Sequence, residues 1–225
     1  KQQCAGPLQL PLNDVGVMAL DYTGSKGIAT SIGHAPASGL VDEKAGSVNS
    51  IAEALTNIVW APLSEGLRSV SLSANWMWPC RNPGEDARLF AAVEAASEFA
   101  ISLGINIPTG KDSLSMKQKY AGDEVIAPGT VIISAAGECD DIRKVVEPVF
   151  SHQRDNSIYY IDFSADEFKL GGSSFAQIRN RIGSETPTVK DAEYFKSCFN
   201  AVQEMIKKGL IVAGHDISAG GMLTA

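Results

Sequence analysis

The chain has 225 residues, of which 44% are hydrophobic and 20% are charged, and this composition excludes a disordered or fibrous protein. Its 26 acidic and 19 basic residues give a formal net charge of −7, which argues against a nucleic-acid or anionic-membrane partner, because both require a basic surface. No apolar run approaches the roughly 20 residues of a membrane-spanning helix, and the first ten residues lack the apolar region of a signal peptide. We therefore expect a cytoplasmic protein that binds neither nucleic acid nor membrane.

Predicted strands and helices alternate along the first two thirds of the sequence. Apolar or alternating patterns that end at turn residues predict strands over 15–22, 67–76, 112–120 and 130–138. Apolar stripes at helical spacing predict helices over 51–60 and 86–103. Ser50, followed three residues later by Glu53, fits a capping box, so we expect the first helix to begin there. This alternation predicts an α/β (α+β) fold.

The pattern changes after residue 141, where Pro148 and a polar cluster indicate a connector. Residues 190–208 then predict an amphipathic helix, and Gly209 follows as a typical helix end. The apolar side of this helix carries Phe195, Phe199, Val202 and Ile206.

The apolar residues 210–213 predict a short buried strand after that helix. The sequence then enters a further glycine-rich turn and stops at Ala225. We therefore predict two units, 1–148 and 149–225, and expect the second to be incomplete.

The clearest candidate for a binding site is the string GHDISAGG, residues 214–221. Strand ends that lead into helix N-termini bind phosphates in α/β proteins, because backbone N–H groups and the helix dipole attract anions. Asp216 and Ser218, two residues apart, have the oxygen atoms that a magnesium ion bridging phosphates requires. A simple helix cap by either residue is an equal alternative.

Glu53 and Asn57 lie one helical turn apart, on the side opposite the predicted apolar stripe. Two oxygen-bearing side chains at this spacing suit a hard cation. The alternative is stronger on spacing alone, because Glu53 would complete the capping box and a polar helix side is normally solvated. Asp14, just before the first strand, reads by itself as a turn residue.

The remaining motifs favour ordinary structural roles. LGGSSFAQ, residues 170–177, is more typical of a plain turn than of a phosphate cradle, and Lys111 lacks the glycines of a P-loop. Trp76 and Trp78 are typical of core or interface positions, and His215 has no accompanying catalytic triad pattern. The four cysteines form no CxxC pair, so we expect free thiols.

Taken together, the motif strings resemble one known family over essentially the whole chain. These strings, in chain order, are CAGPLQLPLNDV, SIAEALTNIVWA, SANWMWPCRNPGEDA, TGKDSLSM, APGTVIISAAGEC, LGGSSFAQ and GHDISAGGM. The sequence is similar to the large form of phosphoribosylformylglycinamidine synthase, and specifically to an internal piece, the second of two repeated halves of its synthetase region.

The resemblance implies a fold and an activity. It implies an AIR-synthetase-like N-terminal domain over 1–148, followed by the start of an AIR-synthetase-like C-terminal domain over 149–225. It implies an ATP-dependent C–N ligase of purine biosynthesis that converts formylglycinamide ribonucleotide, ATP and glutamine to formylglycinamidine ribonucleotide, ADP, phosphate and glutamate. The implied partners are these substrates, together with the first synthetase half and the glutaminase domain of the same parent chain. The isolated 225 residues are then expected to be inactive and to self-associate through a barrel-forming sheet face.

The resemblance also implies a site for Mg²⁺ and ATP or ADP. On matching motif positions, the metal ligands are Asp14, Glu53, Asn57 and Asp216. Asn13 and Ser218 are then expected near the nucleotide. No catalytic residue is assigned, although the segment from Lys111 to Ser115 is expected at the substrate-site wall.

Two positions depart from the family pattern, Ala219 where many relatives carry an acid and Asn13 where relatives often have alanine. In the family, the second-half nucleotide site is similar to an auxiliary one that holds ADP for structure. Two hypotheses follow, a ligase segment that takes part in turnover and a non-catalytic scaffold whose Mg–ADP only stabilises the fold.

Overall fold

The computed structural model describes residues 5–7, 12–150 and 156–225. Seven strands and five α-helices are formed within these ranges. The strands are β1 (Val15–Ala19), β2 (Gly27–His34), β3 (Val70–Met77), β4 (Asn106–Ser113), β5 (Lys117–Tyr120), β6 (Asp123–Ile126) and β7 (Thr130–Cys139). The helices are α1 (Pro36–Val41), α2 (Glu43–Ile58), α3 (Glu85–Leu103), α4 (Ser174–Ile178) and α5 (Ala192–Lys207).

Five strands form one mixed sheet in the order β1-β2-β7-β3-β4. The neighbouring pairs are antiparallel except β3 and β4, which run parallel and are connected through α3. β5 and β6 form a separate hairpin. This combination of a mixed sheet with helices on one side confirms the predicted α/β class.

The core lies between the sheet and helices α2 and α3. β2 alternates strictly between buried and exposed positions, which is the pattern of a strand with one covered face. The predicted stripe of Ile51, Leu55 and Ile58 on α2 is fully buried against this sheet. Burying each such side chain contributes about 1.5–3 kcal/mol, so this face holds α2 in place.

Helix α5 belongs to the same core although it lies far along the chain. Its residues Phe195, Phe199, Val202 and Ile206 are all buried, as the amphipathic pattern predicted. Phe195 packs edge-on against Phe99 of α3, with ring centroids 5.7 Å apart. Asp191 caps the helix by accepting from the Tyr194 N–H, and Gly209 follows its end with a φ of 68°.

Helix α2 begins eight residues earlier than the capping box predicted, so that prediction is wrong. The cap is Asp42, whose carboxylate accepts from the Ala45 N–H at 2.9 Å. Ser50 lies inside the helix and donates to the Gly46 carbonyl. The early turns escaped prediction because glycine, serine and asparagine have weak helix propensity, and here contacts with α1 and α3 overcome it.

Three predicted strands are also corrected. Residues 67–69 belong to a 3₁₀ turn that precedes β3. Residues 112–120 do not form one strand, because the chain turns between β4 and β5. The predicted buried strand over 210–213 is absent, with Leu210 and Val212 more than half exposed, because no described segment pairs with it.

No helix within the described ranges combines the length and the apolar character needed to cross a membrane. The three described cysteines, Cys80, Cys139 and Cys198, are free thiols, as the spacing indicated. Cys4 lies outside the described residues.

Candidate metal and nucleotide site

Acidic side chains from two distant segments of the chain meet beside helix α2. Asp14 comes from the turn before β1, and Asp216 follows α5 with His215 next to it. One potential ligand atom from each of these three residues lies within 4.8 Å of the others. Tertiary folding therefore brings together groups that are about 200 positions apart in sequence.

Helix α2 contributes Glu53 and Asn57 to the same place. Asn57 is only 4% exposed, so this side of the helix is not the solvated surface that the spacing alternative assumed. Its Nδ2 donates to the Ile32 carbonyl at 2.9 Å, which fixes the amide against β2. Its Oδ1 is buried and finds no hydrogen-bond partner among the described residues.

The electrostatics of Glu53 show that the acids share one local environment. The pKa of Glu53 is raised from its ordinary 4.5 to about 7, first by burial and then by the negative charges of Asp216 and Asp14. A hydrogen bond with Asn57 opposes the shift. Burial, followed by the charge of Asp14, likewise raises the pKa of Asp216 to about 6. The carboxylates therefore destabilise one another unless a positive charge lies between them.

Asp216 uses its two oxygens differently. Oδ1 lies 3.1 Å from His215 Nδ1, whereas Oδ2 is buried and finds no hydrogen-bond partner among the described residues. Unpaired buried oxygens are costly, and here two of them, on Asn57 and Asp216, accompany a cluster of carboxylates. This donor set of carboxylate and amide oxygens fits a hard divalent cation such as Mg²⁺.

The two residues predicted near a nucleotide have different environments. Asn13 is 5% exposed, and its side-chain amide donates to the Ala5 carbonyl at 3.3 Å. The side chain is therefore used inside the protein, which leaves the backbone as the part that could face a ligand. Ser218 lies on the exposed surface two residues beyond Asp216.

The glycines of LGGSSFAQ take part in packing. A Cβ on Gly171 would overlap with the Glu185 backbone, and one on Gly172 would overlap with the Ser38 backbone. This close packing favours the plain-turn interpretation, with Ser173 capping α4 through the Ala176 N–H. Trp78 is 2% exposed and belongs to the core, and Lys111 Nζ donates to Ser113 Oγ on the exposed end of β4.

Comparison with known sequences identifies the family. A family profile described as the FGAR-AT PurM_N-like domain matches residues 1–138. The chain belongs to this family. A second profile, the AIR synthase related protein C-terminal domain, matches residues 164–225 of this FGAR-AT PurM_N-like chain.

Curated relatives of this FGAR-AT PurM_N-like chain confirm the resemblance to phosphoribosylformylglycinamidine synthase. The probable enzyme of Arabidopsis thaliana is 43% identical over 99% of the chain, which covers 16% of that relative. The Homo sapiens enzyme is 40% identical over the entire chain, which covers 17% of it. The chain thus spans about one sixth of the length of these relatives.

A solved structure supports the same fold for this member of the family. A T. maritima PurL complexed with FGAR superposes with a TM-score of 0.61 at 18% identity, over 95% of this chain and 32% of that one. At this identity the likeness concerns the fold alone.

The sequence analysis missed two features of this site. His215 was set aside because no triad accompanied it, yet it contacts Asp216. Its position beside Asp216 in GHD was the available signal. The burial of Asn57 had no local signal, because it arises from the contact of α2 with β2.

Proposed function

We propose that this chain is a segment of a phosphoribosylformylglycinamidine synthase and carries a magnesium–nucleotide site. The observation that carries the proposal is the pair of unpartnered buried oxygens, on Asn57 and Asp216, beside a carboxylate cluster. Relatives of 40–43% identity are named as this synthase. T. maritima PurL structures that share the fold were solved with FGAR and with AMPPCP.

Each site residue would have a defined role. Asp14, Glu53, Asn57 and Asp216 would hold the cation, which when bound would offset the charge of phosphate oxygens. Asn57 is held for this by its bond to Ile32, and Asp216 by its contact with His215. Ser218 and the Asn13 backbone would lie near the nucleotide.

The parent enzyme would act on formylglycinamide ribonucleotide with ATP and glutamine. Phosphoryl transfer would activate the amide oxygen, and ammonia would then displace phosphate, with positioning and electrostatics supplying most of the rate. The segment from Lys111 to Ser115, exposed at the end of β4, would contribute to the substrate-site wall. The first synthetase half and the glutaminase domain would come from the remaining parent chain.

A structural role for the nucleotide is the second candidate. The proposed ligands come from both ends of the chain, since Asp14 precedes β1 and Asp216 follows α5. A cation and nucleotide bound between them would therefore join the two regions. Such a ligand stabilises the native state by about 2.7 kcal/mol at a hundredfold excess over its Kd.

The proposal is tested on the full-length protein by releasing bound nucleotide with denaturant and identifying it by chromatography and mass. We expect Asp14→Asn and Asp216→Asn each to lose one equivalent of nucleotide. Asp191→Asn serves as the matched acid-to-amide control, because asparagine still caps α5. Unchanged nucleotide content in both site variants would refute the site.

The same variants separate the two candidates. A structural nucleotide predicts that Asp14→Asn lowers the melting temperature and leaves the turnover of the surviving folded enzyme intact. A catalytic nucleotide predicts lost turnover at an unchanged melting temperature.

The isolated chain is proposed to be inactive and to self-associate. Met18 of β1 and Ile28 and Ile32 of β2 are exposed apolar side chains that a second copy would cover. Turnover with ammonia and ATP by the 225 residues, or a monodisperse monomer in light scattering at high concentration, would contradict these two points. The cytoplasmic location stays a prediction, because the name of the Arabidopsis relative places that protein in chloroplasts and mitochondria.

A further inference from the structure

We propose that Trp60 is a positioning residue. Its indole ring packs against Gly214 and thereby places Asp216 beside Glu53 and Asn57 of α2. The proposal rests on the proposed function, because it concerns how the same cation site is assembled. It assigns a role to two residues outside the ligand set.

The contact between Trp60 and Gly214 has no room for a side chain. A Cβ placed on Gly214 would overlap with the six-membered ring of Trp60. The φ of Gly214 lies outside the left-handed region, so backbone conformation does not demand glycine here. The close approach of the ring is therefore the reason that this position requires glycine.

Backbone hydrogen bonds hold the two residues in this arrangement. The Trp60 carbonyl accepts from the Val146 N–H at 3.0 Å, and the Glu147 carbonyl accepts from the Gly214 N–H at 3.2 Å. The segment at 146–147 therefore lies between the two partners and ties both to itself. Gly214 is two residues before Asp216, so a shift of the glycine moves the carboxylate.

Gln203 of α5 anchors the residues on both sides of Trp60. It is 2% exposed, and its amide donates to the carbonyls of Val59 at 2.5 Å and Ala61 at 2.9 Å. Its Oε1 accepts from the Leu63 N–H at 2.9 Å. The residues on both sides of Trp60 are thus anchored to the helix that leads into the Asp216 segment.

These contacts connect the two sources of ligands by a short path. Asn57 lies in the last turn of α2, Trp60 follows three residues later, and Trp60 touches Gly214 directly. Metal sites tolerate little displacement of their ligands, so a shift imposed at Gly214 is expected to weaken cation binding.

The chain contains a matched control for this contact. Gly129 rests on the ring of Trp78 in the same way, and a Cβ there would overlap with that indole. Trp78 is a core residue outside the ligand-bearing segments. Gly129→Ala therefore imposes a similar clash without moving Asp216.

The test measures the Kd of ADP with Mg²⁺ by calorimetry, and the melting temperature, for the full-length protein and its variants. We expect Gly214→Ala to raise the Kd at least tenfold, whereas Gly129→Ala lowers the melting temperature and changes the Kd less than twofold. Trp60→Leu makes room for the added methyl group. The double variant Trp60→Leu/Gly214→Ala should therefore match Trp60→Leu alone and bind more tightly than Gly214→Ala.

Three results would overturn the proposal: a Kd for Gly214→Ala within twofold of wild type, equal losses in Gly214→Ala and Gly129→Ala, or effects of Trp60→Leu and Gly214→Ala that multiply. If Gly214→Ala fails to fold, Trp60→Phe decides, since the smaller ring should raise the Kd several-fold and an unchanged Kd refutes the role. Failure of the proposed function would give a different result, because Asp216→Asn would then bind ADP with Mg²⁺ as tightly as the wild type does.

Discussion

The region from Val15 to Cys139 and the region from 156 to 225 differ in how their apolar residues are buried. Between Val15 and Cys139, every strand of the main sheet has a partner, and one face of that sheet is covered by helices. Between residues 156 and 225 there are two helices and no strand. Many apolar side chains outside the helices of this second region are exposed, among them Tyr159 at 82% and Leu210 at 68%. Apolar sequence thus yields a buried strand only where a partner segment is present.

Helix α5 is the exception within the second region, because it packs on the core of the first. Four apolar residues of α5 are fully buried, whereas in the extended segments on either side Val189 and Ile211 are only partly buried against the core and Leu210 and Val212 are exposed. In energetic terms α5 belongs to the first region.

The largest effect is expected for Phe199→Ala, which removes a fully buried ring from α5. Substitutions of this kind cost about 3–5 kcal/mol of unfolding free energy. Because α5 shares the core, we expect the whole chain to lose stability in one denaturant transition. Tyr194→Ala, at a half-exposed position of the same helix, is the control. A separate early transition that leaves the first region unaffected would show that α5 does not share its core.

A slightly smaller loss is expected for Gln203→Leu. The substitution removes three hydrogen bonds of the Gln203 amide and leaves the buried Val59 carbonyl without a described donor, whereas the Leu63 N–H and the Ala61 carbonyl remain bonded to each other. The expected cost is about 1–3 kcal/mol. Urea denaturation measures it. Gln177→Leu on the exposed side of α4 should change stability by less than about 0.5 kcal/mol. Equal effects of the two would show that α5 is not anchored through Gln203.

The stability of the metal-free chain should rise as the pH falls from 8 to 5. Glu53 and Asp216 have folded-state pKa values of about 7 and about 6, above their ordinary 4.5 and 3.8. The folded state therefore binds more protons than the unfolded state in this window, and acidification favours folding. Thermal melts in EDTA should show the rise, and Glu53→Gln/Asp216→Asn should remove it. A melting temperature that falls steadily as the pH is lowered from 8 to 5 would contradict the raised pKa values of Glu53 and Asp216.

The smallest effect is expected for Leu210→Ser. At 68% exposure this side chain contributes little to burial, so the change should stay within about 0.5 kcal/mol. Leu72→Ser, at a buried position of β3, provides the contrast and should cost several times more. A loss above about 2 kcal/mol at Leu210 would mean that the segment is buried after all.

Local patterns were sufficient where a residue's neighbours in sequence decide its conformation. The apolar stripes predicted the buried faces of α2 and α5, and Gly209 predicted the end of α5. Patterns failed where distant contacts decide. Residues 46–50, which are glycine, serine, valine, asparagine and serine, have weak helix propensity and become helical through contacts with α1 and α3. Residues 210–213 have the composition of a strand but no partner among the described residues.

Periodicity and motif strings are properties of neighbouring residues, and they were enough to predict the α/β class, most of the three long helices and the family. The resemblance to the family also predicted the metal ligands, which are Asp14, Glu53, Asn57 and Asp216. Three features became visible only in the folded chain: the burial of Asn57 with an unpartnered oxygen, the contact of His215 with Asp216, and the packing of the Trp60 ring on Gly214. These features depend on segments up to 200 residues apart meeting in space, and no local periodicity encodes such a meeting.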